Sequence, residues 1–310
     1  MTGPSVSVVL PVLDGEHFIM EAVGSVLEQT FSGLELIVVD DGSTDATGEL
    51  VLGVKDPRVR YLRQENRGLA AARNRGVSEA SAPAVAFIDA DDRWKASKLE
   101  KQLPVLAKGL LVYSDVELSD ETGRSLGGFR TFDRFPEDER KFSGDVLTAL
   151  LAQNFVHPST VVMRKEDLAA VGGFREELRV SEDWDLWLRC AEGMRFSRLA
   201  EPLVAVLIRR ESLQGNPQLM RATSLRVLHD AGRRLREDGR MTAEVRGALG
   251  LGYFSSRNMR PAAANLFGAA LRRPWHLRWW KWLASSLLWR PVRGDRATVA
   301  DSEILVRGRK

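Results

Sequence analysis

Ala84-Val85-Ala86-Phe87-Ile88-Asp89-Ala90-Asp91-Asp92-Arg93-Trp94 runs from an apolar stretch of strand length into three carboxylates within four residues. A buried strand carries its last residues to the edge of its sheet, and open α/β sheets bind ligands outside the carboxyl ends of their strands. Like charges packed this closely repel unless a cation lies among them. A hard divalent ion with oxygen ligands, itself bound to a phosphate, meets that need. The plainer reading is a solvated helix start, since the helix dipole favours Asp in a first turn.

Working outward, Val6–Leu10 reads as a first buried strand stopped by Pro11, and Phe18, Ile19, Ala22, Val23, Val26 and Leu27 recur at helix spacing. Leu34–Val39 is a second strand, running into Asp40-Asp41-Gly42-Ser43-Thr44-Asp45, with Ser43 or Thr44 as N-cap of the next helix. Val59–Leu62 is a short third strand, Asn66-Arg67-Gly68 a turn, and Leu69–Val77 a helix; the opening stretch is then the fourth strand. Strands alternating with helices predict an α/β fold with a mostly parallel, doubly wound sheet. That topology puts Asp40 and Asp41 on the same edge as Asp89–Asp92. Alone, Asp40–Asp45 also reads as an Asp-Gly turn with a helix cap.

The pattern then becomes mixed. Lys95–Leu106 reads as a helix, Leu110–Glu117 as a strand, Asp120–Glu139 as a surface excursion, Ser143–Ala152 as a helix and Thr160–Met163 as a strand. Trp184, Trp187, Leu188 and Ala191 place a helix start near Glu182, and Leu203–Ile208 is a last apolar run. Beyond Gln214–Pro217 the chain is helical in pattern. The expected division is a domain over 1–215 followed by a helical C-terminal region over 216–310.

Composition narrows the chemistry. The 310 residues are 44% hydrophobic and 28% charged, with a formal net charge of +3, which suits a soluble globular chain. A lone cysteine, Cys190, excludes an internal disulfide framework and fits a reducing, cytoplasmic setting. The start, Met1-Thr2-Gly3-Pro4-Ser5, has no basic n-region, and no apolar run approaches the ~20 residues of a membrane span. Asp14-Gly15-Glu16-His17 has one glycine where a dinucleotide fold needs three, and there is no phosphate loop or nucleophile elbow. His17, His157, His229 and His276 are too scattered for a zinc helix motif.

What remains is carboxylates in a particular order. Val6–Pro11 with Ser25–Thr30, Val38–Asp45, Asn66–Asn74, Phe87–Trp94, and Gly172-Gly173-Phe174 with Ser181-Glu182-Asp183-Trp184-Asp185 together resemble the family 2 glycosyltransferases. The likeness covers roughly residues 5–215. It implies the GT-A nucleotide-sugar-binding fold and transfer of a sugar from a nucleotide-diphosphate donor to an acceptor hydroxyl, with inversion. It implies roles as well. Asp41 would contact the donor base with Asp40 supporting its loop, and Pro11, Asn66, Gly68 and Arg73 would line the nucleotide pocket. Asp89 and Asp91 would meet ribose and a divalent cation, Mg²⁺ or Mn²⁺. Asp183 would be the general base, with Glu182 beside it.

One departure stands out. Relatives often carry a Tyr-Arg-x-His element whose histidine completes the metal shell, whereas this chain has Ile208-Arg209-Arg210-Glu211. Glu211 is then an oxygen ligand or metal binding is looser, and Arg209 or Arg210 is expected to reach the diphosphate. Asp92 is expected to orient the loop, so that Asp91→Ala abolishes transfer and Asp92→Ala weakens it. His157 reads either as lining the acceptor side or as a satisfied loop histidine. Trp184 and Trp187 fall on an apolar helix face and read as core. Trp94 could pack under the metal loop.

In the C-terminal region Leu249, Gly250, Tyr253, Ala262, Leu266, Ala269 and Pro274 fall on the spacing of one tetratricopeptide-like helix pair. Between Pro274 and Arg290 lie five of the chain's eight tryptophans, among basic residues. That is the composition of a helix lying on a membrane surface, here the inner face of the cytoplasmic membrane, or of a packed amphipathic helix. A lipid-linked or saccharide acceptor from cell-envelope synthesis would suit the first. Nothing points to nucleic acid as a partner. The non-enzymatic alternative is a sugar-nucleotide-binding sensor or assembly module. A nucleotidyltransferase would need an Arg-containing glycine-rich loop after the first strand, and a haloacid-dehalogenase-type phosphatase would carry its Asp-x-Asp motif on the first strand.

Overall fold

The computed structural model describes residues 3–120, 122, 124–128, 142–208 and 217–288. The first elements are β1 (Val6–Val12), α1 (Ile19–Leu27), β2 (Leu34–Asp40), α2 (Thr47–Leu52), β3 (Val59–Arg63), α3 (Leu69–Glu79) and β4 (Ala84–Phe87). Then come β5 (Arg93–Trp94), α4 (Lys98–Gln102), β6 (Leu110–Asp120), β7 (Ser125–Gly128), α5 (Leu147–Ala152), β8 (Val162–Arg164) and α6 (Lys165–Ala170). The last are α7 (Glu182–Ala191), β9 (Arg195–Ile208), α8 (Pro217–Glu237), α9 (Ala243–Ser255), α10 (Met259–Arg272) and α11 (Leu277–Leu288).

The chain divides into two compact units. The first takes Met1–Gly144, Val156–Glu176 and Gly193–Arg210, and the second Asp145–Phe155, Glu177–Glu192 and Glu211–Lys310.

The first unit is built on one sheet of order β3-β2-β1-β4-β8-β6-β9-β5, with β7 on β6. β1, β2, β3 and β4 pair in parallel, as their separation by helices requires, and β6 pairs in parallel with β9. β8 runs antiparallel to β4 and β6. Both β1 and β2 are buried along their whole length, which is why they read as largely apolar runs, with Ser7 and Glu35 as buried polar exceptions and Asp40 at the end of β2. α1 buries Ile19, Ala22, Val23 and Val26 in the same core as Val8, Leu36 and Ala86. α3 lies close over β1 because Gly76 carries no side chain: a Cβ there would stand 2.3 Å from Val9 Cγ1. Register decides what reaches the edge. Val12 pairs with Asp40, and Phe87 pairs with Val9, so Asp40 and the residues after Phe87 emerge at the carboxyl end of the parallel strands.

Some local expectations change. Neither Ser43 nor Thr44 caps α2: Ser43 Oγ accepts the Asp14 N–H instead, and Asp45 Oδ1 takes the Thr47 N–H at 3.0 Å. The helix expected over 95–106 is shorter, because Pro104 falls in a 3₁₀ turn over Leu103–Val105. β9 begins at Arg195, well before the apolar run at Leu203, since its first half alternates polar residues and contains Pro202. There its pairing with β6 is irregular, between Ser114 and Val116.

The second unit is helical. α5 packs on α9 and α7, α7 on α8, and α9, α10 and α11 follow one another in contact. Glycines allow the close approaches: a Cβ on Gly252 would meet the Leu151 carbonyl at 2.2 Å, and one on Gly250 would meet Leu266 Cγ at 2.7 Å. α11 is apolar on two faces. Trp279, Leu283 and Ser286 are buried, and the Trp282 ring meets Phe254 with centroids 5.1 Å apart. Leu277, Trp280, Leu287 and Leu288 are exposed, at 37–79%. No helix among the described residues is long and apolar enough to cross a membrane.

Candidate active site

The loop after β2 is organised by two neighbouring carboxylates that do different work. Asp40 is buried, and its Oδ1 accepts the N–H groups of Gly42 (3.1 Å) and Ser43 (2.7 Å). Its Oδ2 accepts the Tyr61 hydroxyl at 2.5 Å, with the Arg63 guanidinium 3.6 Å away. Burial pushes this carboxyl up, but Tyr61, Ser43 and Arg63 together hold it below its ordinary value. Gly42 has φ +94, a conformation that favours glycine, and it lets the chain turn back over Asp40.

Asp41 faces the next loop. Its Oδ1 accepts from Gln64 Nε2 (2.7 Å) and the Arg67 N–H (2.9 Å), and its Oδ2 from the Gly68 N–H (2.7 Å). One side chain therefore shapes the whole 64–68 turn. Gly68, at φ +93, then starts α3. Pro11 is buried in β1, and Asn66 is exposed.

α3 delivers Arg73. Its guanidinium is almost fully buried, donates to Asp89 Oδ1 at 2.6 Å, and lies 5.3 Å from the centre of the Phe174 ring. The Gly172-Gly173-Phe174 motif explains itself here. Both glycines have positive φ, a Cβ on Gly173 would press on Asn74 Oδ1 at 3.0 Å, and the Asn74 side chain pins Phe174 by its N–H and carbonyl. The Phe174 ring also meets Phe87 edge-on. The motif is a bracket for Arg73.

The segment after β4 brings Asp89 and Asp92 to His157, with one ligand atom from each within 4.8 Å of the others. His157 Nδ1 lies 3.5 Å from Asp92 Oδ2. For Asp89, burial raises the carboxyl, yet Arg73 and His157 outweigh it and hold it below the ordinary value. Asp92 goes the other way: burial, then the charges of Asp89 and Asp91, push it well above, against hydrogen bonds from Ser159 and the Leu207 backbone. Asp91 itself is half-buried. Excess negative charge beside an imidazole suits a divalent cation with mixed oxygen and nitrogen ligands, and an ion somewhat softer than Mg²⁺. Trp94 packs beneath, its Nε1–H on the Ser159 carbonyl at 2.8 Å and its ring 3.9 Å from Lys98 Nζ. Burial pushes the Lys98 amine well below its ordinary value.

Asp183 belongs to the second unit, in the first turn of α7. Its Oδ2 accepts from Asn154 Nδ2 at 2.9 Å, and the side chain is half-buried. Ser181 opens the helix at φ 58, and the rest of α7 is anchored: Trp184 Nε1 donates to the Leu150 carbonyl, Trp187 is fully buried, and Asp185 pairs with Arg189. Both tryptophans are core, as their spacing implies. Arg209, Arg210 and Glu211 lie outside the described residues.

The sequence reading missed how Asp92, His157 and Ser159 belong together. The local signal was His157-Pro158-Ser159-Thr160, a 3₁₀ turn with proline at its start, just before β8. Nothing in its spacing pointed 65 residues back.

A family model described as glycosyl transferase family 2 matches residues 7–168. An uncharacterized glycosyltransferase of Rickettsia prowazekii is 30% identical over 190 residues, 60% of this chain and 58% of that protein. The Escherichia coli protein WfgD, named UDP-Glc:alpha-D-GlcNAc-diphosphoundecaprenol beta-1,3-glucosyltransferase, is 40% identical over 116 residues, 36% of this chain and 46% of that protein. The matches thus span about half the length of these relatives. Among solved structures, Staphylococcus aureus TarS 1-349 in complex with UDP-GlcNAc aligns with TM-score 0.63 at 19% identity, over 91% of this chain and 80% of that one. The mannosyltransferase PcManGT of Pyrobaculum calidifontis, in complex with GDP-Man and Mn²⁺, aligns with TM-score 0.58 at 18% identity, over 99% and 86%. At such identities the likeness speaks to the fold, which is GT-A.

Proposed function

The chain belongs to glycosyl transferase family 2, and from that premise we propose that it moves a sugar from a nucleotide-diphosphate donor to an acceptor hydroxyl, with inversion. The observation that carries this reading is the group of Asp89, Asp92 and His157 at the carboxyl end of the parallel strands, with Arg73 donating to Asp89.

Each residue then has a task. Asp41 presents its remaining lone pair to the donor base, with Asp40 fixing the loop below and Pro11, Asn66 and Gly68 around it. Arg73 holds Asp89 ionised. Asp89 and Asp91 would hold Mn²⁺ or Mg²⁺, with Asp92 and His157 grouped around Asp89 to reach the same ion, and Glu211 would be a further oxygen ligand or metal binding would be looser. The bound ion supplies positive charge against the departing diphosphate without needing a proton. Arg209 or Arg210 meets the same diphosphate. Asp183 takes the proton of the attacking hydroxyl, and Asn154 fixes the orientation of that carboxylate. A single base with direct displacement inverts the anomeric carbon.

The expected result is release of nucleoside diphosphate from one donor in a panel of UDP- and GDP-sugars, dependent on Mn²⁺ or Mg²⁺ and on an added saccharide or lipid-linked saccharide acceptor. Tight binding of one donor with no turnover on any acceptor would instead favour a sugar-nucleotide sensor.

The second apolar face of α11, flanked by Arg278 and Lys281, supports contact with an anionic phospholipid surface, and a cell-envelope acceptor carried on lipid would be met there. On this reading the protein works at the cytoplasmic face of the membrane. Leu287→Glu with Leu288→Glu is expected to cut co-sedimentation with vesicles containing phosphatidylglycerol by about tenfold or more, since each loses the burial of a leucine. Equal co-sedimentation of both forms would remove the membrane from this account.

A further inference from the structure

Among the described residues, one residue hydrogen-bonds with every member of the candidate cation group, through its hydroxyl to Asp89 and Asp92 and through its backbone to His157. Ser159 is fully buried in the Pro158–Thr160 turn. Its Oγ accepts the Asp89 N–H at 3.0 Å and donates to Asp92 Oδ2 at 2.5 Å. Its own N–H donates to His157 Nδ1 at 3.3 Å, and its carbonyl accepts the Trp94 indole N–H at 2.8 Å. The turn is held in place as well, by Thr160 Oγ1 on the His157 carbonyl and by Gln102 Nε2 on the Thr160 carbonyl.

We infer that Ser159 is the positioning residue of the cation site, setting the separation of Asp89, Asp92 and His157 and with it the affinity for a divalent ion. This rests on the cation reading above. A hydroxyl both donates and accepts, and only such a group can bridge a backbone N–H and a carboxylate at one point. Asp89 and Asp92 repel, and His157 arrives from a turn 65 residues later. Arg73 fixes the Asp89 carboxylate, and Ser159 ties the Asp89 backbone, the Asp92 carboxylate and His157 to one point. Partners behind metal ligands typically set affinity by about 10- to 100-fold.

The same unit contains a matched control. Ser7 is also fully buried, its Oγ donating to Glu35 (2.6 Å) and accepting the Ala82 N–H (3.0 Å), and it lies outside the cation group. Ser159→Ala and Ser7→Ala should therefore lose similar thermal stability. Mn²⁺ titrated against the full chain by electron paramagnetic resonance, alone and with UDP or GDP, separates them. Ser159→Ala is expected to bind Mn²⁺ about 10- to 100-fold more weakly, and Ser7→Ala as tightly as the unsubstituted chain.

Unchanged affinity in a folded Ser159→Ala, or equal weakening in Ser7→Ala, overturns the positioning role. If Ser159→Ala does not fold, Trp94→Phe removes the indole N–H on the Ser159 carbonyl and keeps an aromatic ring, though a smaller one, over Lys98. It should weaken Mn²⁺ about three- to tenfold, and no change there overturns the role equally. Absence of saturable Mn²⁺ binding by the unsubstituted chain takes down the cation reading itself, and this inference with it.

Discussion

Asp183→Asn is expected to lower the turnover number for sugar transfer by about 10²- to 10⁴-fold, the range a general base contributes, while donor binding changes little. The reasons are local. Asparagine keeps the shape of aspartate, so the first turn of α7 and the contact with Asn154 can persist. It loses the capacity to take a proton. A residue acting only in the step where the hydroxyl ionises shows its loss in the turnover number. The measurement is steady-state transfer with the donor varied, alongside donor binding by calorimetry. Donor affinity falling in step with turnover would mean that Asp183 serves binding, and the base would have to be sought elsewhere.

Asp89→Ala acts through two effects that can be separated. Arg73 is 1% exposed on its side chain and Asp89 24%, with 2.6 Å between them. Removing one partner of a buried pair typically costs about 3–5 kcal/mol, and the partial exposure of Asp89 puts this case near the lower figure. About 3 kcal/mol corresponds to a fall of roughly 5–10 °C in melting temperature. Transfer should fall further, by about a hundredfold or more, because several kcal/mol of charge stabilisation go with the cation. The double substitution Arg73→Met with Asp89→Ala tells the two apart. Replacing both partners with apolar groups should return most of the stability and none of the transfer. Transfer recovering with stability would reduce Asp89 to a structural anchor.

The parts of this molecule that were legible beforehand are those governed by local rules. β1, β2 and β4 are short and wholly buried, with β1 and β2 rich in β-branched residues, so their largely apolar runs could be read directly. The start of α7 was legible because its tryptophans repeat at helix spacing. β9 was half hidden, since a strand that alternates polar residues and includes Pro202 carries no clean period. At the site, Asp40, Asp41, Asp89 and Asp91 could be found as carboxylates at strand ends. The reason Arg73 points at Asp89 could not, because it lies in Phe174, held a hundred residues away in sequence by Asn74. The pairing of Asp92 with His157 through Ser159 was hidden for the same reason. It is tertiary, and no spacing along the chain encodes it.

The composition of the second unit bears on how such a chain can be inherited. Asp183 lies on a helix packed against α5 and α8, and α5 packs in turn on α9, so the proposed base stands on a scaffold completed only after residue 217. Two of that scaffold's pieces, 145–155 and 177–192, come from within the stretch that reads as the transferase domain. The tail is therefore not a cassette that recombination can exchange whole. A relative that acquired a foreign C-terminus would have to remodel α5 and α7 in step, and substitutions on α8 or α9 would be filtered by selection on chemistry as well as on folding.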